Sequence, residues 1–68
     1  MKITVQFIPS KETKEVELEE GATGMSLVEY LDLTPDSIIL ARSQSPIPID
    51  EPLTDGEILT LISVVSGG

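Results

Sequence analysis

The spacing of apolar residues along this chain changes from two to four and back to two, and that change restricts the fold more than any other feature. In Lys2-Ile3-Thr4-Val5-Gln6-Phe7 the residues Ile3, Val5 and Phe7 recur at every second position, as one face of a strand does. Pro9-Ser10-Lys11-Glu12 supplies turn chemistry, after which Val16 and Leu18 alternate with Glu15, Glu17 and Glu19. These segments predict an antiparallel hairpin with one wet face, ended by Gly21. Beyond it, Leu27 and Leu31 lie four apart with Val28 widening the stripe. A helix capped by Thr23 and running through Leu33, about three turns long, is expected, and Pro35 forbids its continuation. Gly24 is a weak helix former, so the first turn is expected to be loose. Tyr30 reads as a helix-flank packing residue.

The second half returns to extended patterns. Ser37 to Arg42 carries Ile38, Ile39 and Leu40 in succession, as a strand covered on both faces or one with a sticky outer face would, and is the candidate central strand. In Pro46-Ile47-Pro48-Ile49 the prolines lack backbone donors, which restricts the segment to a short edge strand or extended loop. Pro52 to Gly56 forms a turn-rich crossover with Leu53 as its core residue and an Asp55-Gly56 turn that needs a left-handed glycine. Glu57 to Val65 is the last strand. Its alternation points Leu59 and Leu61 at the helix and Thr60, Ile62 and Val64 outward.

Composition then excludes several kinds of chemistry. The 68 residues hold no cysteine and no histidine, so disulfides, thiolate or imidazole metal sites and Ser-His or Cys-His nucleophiles are all missing. A stand-alone enzyme is not expected, and a chain this short has little room for a deep substrate pocket. Only Phe7 and Tyr30 are aromatic, so the core is expected to be aliphatic. Asp50, Glu51 and Asp55 are too loosely spaced for a calcium loop, and no metal or cofactor is predicted. Twelve acidic against four basic residues give a net charge of −8, which opposes binding to nucleic acid or anionic membrane. The charge serves solubility or steers the chain toward a basic docking surface. No apolar run approaches the roughly 18 residues of a membrane span, and the first strand's alternation is unlike a signal core, so a cytoplasmic location is expected.

The sequence runs out at Val65-Ser66-Gly67-Gly68. Two glycines, lacking Cβ atoms, can lie extended in a slot too narrow for other residues and carry a carboxylate into another protein's active site. That carboxylate is an anion near neutral pH and a poor electrophile, so something else must activate it. Gly68 is the candidate reactive residue. Gly67 and Ser66 are the residues that thread the slot, and Thr60, Ile62, Val64 and Val65 form the candidate partner-binding strip. A contiguous patch of Ile62, Val64 and a strand-three neighbour would favour docking, and Glu57 is a candidate partner for an enzyme arginine.

Residues 42 to 58, Arg42-Ser43-Gln44-Ser45-Pro46-Ile47-Pro48-Ile49-Asp50-Glu51-Pro52-Leu53-Thr54-Asp55-Gly56-Glu57-Ile58, resemble the Arg-Asn-Gly-x-x-Val-Pro-x-Asp…Leu-x-Asp-Gly-Asp stretch of small ubiquitin-like sulfur carriers. The thiamine-pathway carrier, the small subunit of molybdopterin synthase and the small archaeal modifier proteins share that stretch and the diglycine ending. The resemblance implies an α+β ubiquitin-like β-grasp, a mixed sheet of four to five strands packed on one helix, as a single domain over residues 1–68 with a flexible tail from about residue 64. It also implies that an E1-like adenylating enzyme spends ATP on the Gly68 carboxylate. Attack by a persulfide then leaves a thiocarboxylate for a sulfur-accepting synthase or a tRNA thiolation enzyme, whereas attack by a lysine of a target protein leaves an isopeptide bond. A β-grasp interaction module that is never conjugated is the remaining alternative. Two positions depart from the pattern. Ser63-Val64 stands where molybdopterin synthase subunits often carry Pro-Pro. Ser43-Gln44 stands in place of Asn-Gly, which predicts a loop longer than a two-residue turn.

Overall fold

Backbone pairing converts the period-two segments into a sheet. The computed structural model describes residues 1–64. Strands β1 (Lys2–Ile8) and β2 (Thr13–Glu17) form the expected antiparallel hairpin, in register from Lys2 opposite Glu17 to Gln6 opposite Thr13. Helix α1 (Gly24–Tyr30) follows, then a 3₁₀ turn over Pro35–Ser37 and the strands β3 (Ile38–Arg42), β4 (Ser45–Ile47) and β5 (Ile58–Ser63). The five strands make one mixed sheet in the order β2-β1-β5-β3-β4, in which only β1 and β5 run parallel.

The middle position therefore belongs to β5 and not to β3. The Ile38-Ile39-Leu40 run reflects a sticky outer face: Ile38 and Leu40 are buried, whereas Ile39 between them is exposed. A run of three apolar residues cannot by itself distinguish burial on both faces from an apolar outer face. The short β4, with Pro46 and Pro48 in and beside it, lies at the sheet edge as their missing donors require.

One face of the sheet and the inner side of α1 enclose the core. Ile3, Val5, Val16, Leu27, Val28, Leu59 and Leu61 are the largest side chains with almost no solvent contact, so the core is wholly aliphatic. Phe7 is half-buried at its margin, and Tyr30 is 59% exposed, so it flanks the helix without packing into the core. Truncating a buried leucine in such a core costs about 2–5 kcal/mol.

The helix is shorter than its apolar spacing suggested. Asp32, at φ 58, takes the left-handed position after the C-cap Leu31. The Asp32 N–H donates to Glu29 O and the Leu33 N–H to Val28 O, both at 3.0 Å, which closes the helix with the paired 5→2 and 6→1 bonds of a Schellman motif. At the other end the first turn is pinned and not loose. Ser26 Oγ accepts the Thr23 N–H at 3.1 Å, and the Gly24 N–H donates to Glu51 O at 3.1 Å. A Cβ on Gly24 would lie 2.7 Å from both Ile49 O and Leu40 Cδ1, so this glycine permits the 49–51 crossover to pass directly over the helix start.

Ser43 and Gln44 connect β3 to β4 as a two-residue turn, with Arg42 opposite Ser45 and φ values of 52 and 69. The longer loop expected from their chemistry is not formed. The Leu40–Ile47 pairing holds the strands in register, and two residues with side chains accept the left-handed conformation that asparagine and glycine adopt more readily.

Two substitutions check this account. Gln44→Gly relieves one left-handed residue and is expected to raise the urea midpoint, by about 1 kcal/mol in stability after glycine's extra unfolded-state entropy. Gly24→Ala gains about 1 kcal/mol of helix propensity in the abstract. It is nevertheless expected to destabilise the domain by about 1–3 kcal/mol, because the new methyl meets a backbone carbonyl.

Candidate functional site

The last strand positions the candidate site. Both edges of β5 are paired, with β1 on one side and β3 on the other, so its alternation is rigidly expressed. Leu59 and Leu61 point into the core with no exposed surface, and Thr60, Ile62 and Val64 lie on the opposite, outer face as predicted. Thr60 is half-buried between Gln6 of β1 and Ala41 of β3. Ile62 is half-buried between Ile8 and Ile39, its direct cross-strand neighbours. With Ile8 at 39% exposure, Ile39 at 44% and Val64 at 44%, these β-branched side chains form a contiguous apolar patch at the end of the sheet from which the chain continues toward residue 68.

The strand-three neighbour of the expected patch is thus Ile39. Ile8 lies one residue beyond the Lys2–Phe7 alternation, so that pattern alone does not single it out. Its even number, shared with Lys2, Thr4 and Gln6, was the available sign that it faces outward. Val64, where the tail was expected to begin, donates its N–H to Ser37 O at 2.8 Å, so the strand is tied down through its last described residue. Val65, Ser66, Gly67 and Gly68, the rest of the predicted site, lie outside the described residues.

Glu57 is not available to a partner. Its carboxylate accepts two bonds from Arg42, from Nε at 2.7 Å and from a terminal nitrogen at 3.2 Å, and a third from the Thr54 N–H. Arg42 also reaches Glu51 at 2.9 Å and Pro52 O at 3.1 Å. The chain's one arginine therefore clamps the crossover 51–57 to the end of β3. Burial pushes the Glu57 carboxyl up, but the Arg42 hydrogen bond, the Thr54 N–H and the guanidinium charge outweigh it and leave the group below its ordinary value of 4.5. The hydrogen bonds that Arg42 donates to Glu57 and then to Glu51 raise its guanidinium in turn. The neighbouring Asp55-Gly56 turn has the expected left-handed glycine at φ 85, and Asp55 Oδ1 accepts the Lys2 N–H at 2.7 Å. Among the described residues no group of three or more acidic side chains is arranged to hold a metal. No helix among them is long and apolar enough to cross a membrane.

A cavity of about 370 Å³ opens on the helix side of the sheet, lined by Phe7, Glu12, Thr13, Lys14, Leu31 and Leu33. It lies on the face opposite the patch of Ile8, Ile39 and Ile62.

Three comparisons bear on this arrangement. A family model described as Small archaeal modifier protein 2 matches residues 1–65. An uncharacterized protein of Archaeoglobus fulgidus is 30% identical over 69 residues, covering all of both chains. Among solved structures, SAMP1 from Haloferax volcanii superposes with a TM-score of 0.74 at 19% identity over the whole of both chains. A ubiquitin-like protein from Caldiarchaeum subterraneum does so with 0.62 at 22% identity, covering 98% of this chain and all of that one. Those structures establish a ubiquitin-like β-grasp.

The Arg42 clamp carries a pH signature. A carboxyl whose folded value is depressed adds stability that is fully present above its unfolded value and is lost as pH falls through the folded one. Glu57→Gln is therefore expected to cost about 1 kcal/mol near neutrality, a figure discounted because Arg42 is about one-third exposed. Urea titrations of the two proteins should converge as the pH is lowered below the carboxyl's ordinary value of 4.5 and through its depressed folded value.

Proposed function

The chain belongs to the small archaeal modifier protein 2 family, and within it we propose that Gly68 is the residue joined to other proteins. The family match over residues 1–65 is the observation that carries this reading. A carboxylate oxygen of Gly68 attacks the α-phosphorus of ATP on an E1-like enzyme, pyrophosphate leaves, and an acyl-adenylate forms. A target lysine amine then attacks the carbonyl carbon, AMP leaves, the surplus proton passes to solvent, and an amide joins the two proteins. The chain itself contributes no acid or base to these steps and is a substrate, not an enzyme. Its part is to dock through the patch of Ile8, Ile39, Ile62 and Val64 and to present residues 65–68, whose glycines pass a confined channel. The patch supports this role because it adjoins the last described residue of β5.

Sulfur carriage is the second reading, favoured by the likeness of residues 42–58 to small sulfur carriers. A persulfide of the partner enzyme attacking the same acyl-adenylate would expel AMP and leave an acyl disulfide on Gly68. A second thiol of that enzyme would then cleave its S–S bond, releasing the Gly68 thiocarboxylate and leaving a disulfide on the enzyme. The partner enzyme's nucleophile decides between the two products.

Arg42 is the last basic residue, so trypsin leaves residues 43–68 as a branch on any modified lysine. We expect that branch on target lysines in digests of cells expressing the chain, and its loss in a variant with Gly67 and Gly68 deleted. Absence of the branch under every growth condition, alongside an intact-mass shift equal to sulfur replacing oxygen, would leave carriage alone. Finding neither the branch nor the mass shift would overturn the proposal. Ile39→Asp, an exposed change, is expected to preserve the melting temperature while reducing ATP–pyrophosphate exchange by about tenfold, the loss of about 1.4 kcal/mol of docking energy.

A further inference from the structure

We propose that the free edge of β2, together with the groove between β2 and the end of α1, binds an extended apolar peptide flanked by lysines or arginines. This surface is separate from the outer-face patch of Ile8, Ile39 and Ile62.

The argument begins with unpaired backbone. In the β1–β2 ladder the Phe7 N–H donates to Glu12 O at 2.7 Å, and the Leu18 N–H to Met1 O at 2.8 Å. Alternation along an antiparallel pair then turns the backbone groups of Lys14 and Val16 toward β1 and those of Thr13, Glu15 and Glu17 toward the open side. β2 is the first strand of the sheet order, so that side has no strand beside it. A row of outward N–H and C=O groups is a template for an added strand.

Beside this edge lies the cavity of about 370 Å³, floored by Phe7, Leu31 and Leu33 and rimmed by Glu12, Thr13 and Lys14. An added strand would turn every second side chain toward the helix side of the sheet, where the groove is. Apolar side chains at those positions fit Phe7, Leu31 and the partly exposed Leu33.

Charge selects the occupant. Residues 11–20 carry five glutamates, Glu12, Glu15, Glu17, Glu19 and Glu20, against Lys11 and Lys14. Glu12, Glu15, Glu17, Glu19 and Glu20 are all exposed, and none of their carboxylates forms an ion pair among the described residues. A second copy pairing β2 against β2 would bring glutamates against glutamates, which disfavours self-association. A peptide with basic flanks would relieve that repulsion and be drawn in at low salt.

The test uses the full chain, labelled for NMR, and a synthetic peptide with a Val-Ile-Val-Ile centre and two lysines at each end. Binding should slow hydrogen exchange at the amides of Thr13, Glu15 and Glu17 by at least tenfold, as new cross-strand bonds require. Affinity should fall as salt rises. The double variant Glu15→Lys/Glu17→Lys should bind the basic peptide about tenfold more weakly, a change of about 1.4 kcal/mol, and bind a glutamate-flanked version better. Because those side chains are exposed, the variant is expected to keep its fold, which its own amide spectrum verifies. The proposal is overturned if the three amides remain unprotected at saturation, or if shifts map to Ile8, Ile39 and Ile62 instead. It is equally overturned if both peptides bind alike or if the chain dimerises through β2.

Discussion

The parallel pairing of β1 with β5 is the constraint on which the rest of the structure depends. It draws segments that are more than fifty positions apart into one ladder, from Thr4 opposite Ile58 to Ile8 opposite Ile62. β5 then has partners on both sides, its odd-numbered leucines are driven into the core, and its even-numbered residues are left on the outer face. The apolar patch is a consequence of that register. A slip of one residue would exchange the two faces and bury Ile62 where Leu61 now lies.

Around this ladder, irregular segments are held by polar contacts and one close approach. Arg42 gathers Glu51, Pro52 and Glu57, and Asp55 caps the start of β1 through the Lys2 N–H. Gly24 lets the 49–51 backbone cross the helix at van der Waals distance. These contacts fix the crossover that delivers the chain into β5, so the register of the last strand is set from both its entry and its sides. Val64, bonded to Ser37 O, extends that control to the last described residue.

Much of this was legible because it rests on local periodicity. The hairpin, the inward Leu27 and Val28, the inward Leu59 and Leu61 and the left-handed Gly56 follow from spacing or turn chemistry alone. What could not be read depends on contacts made across the fold. Ser43 and Gln44 adopt a turn their own preferences resist because the strands they join are held elsewhere. Asp32 ends the helix early by taking a conformation that glycine or asparagine would have advertised. The engagement of Glu57 by Arg42 spans fifteen positions and has no local signature. Within the candidate site, the outward face of β5 was readable. Its flanking residues Ile8 and Ile39 required knowledge of which strands lie beside it.

The same parallel ladder determines how the domain responds to force. The start of β1 and the finish of β5 lie at opposite ends of two adjacent strands that run in one direction. Tension drawing those points apart acts lengthwise on the strands, so all the rungs between them are strained in shear together. They cannot open one by one, as they would if the load peeled one strand away. A protein fastened beyond residue 64 and pulled against the beginning of the chain would thus meet the domain along its stiffest axis.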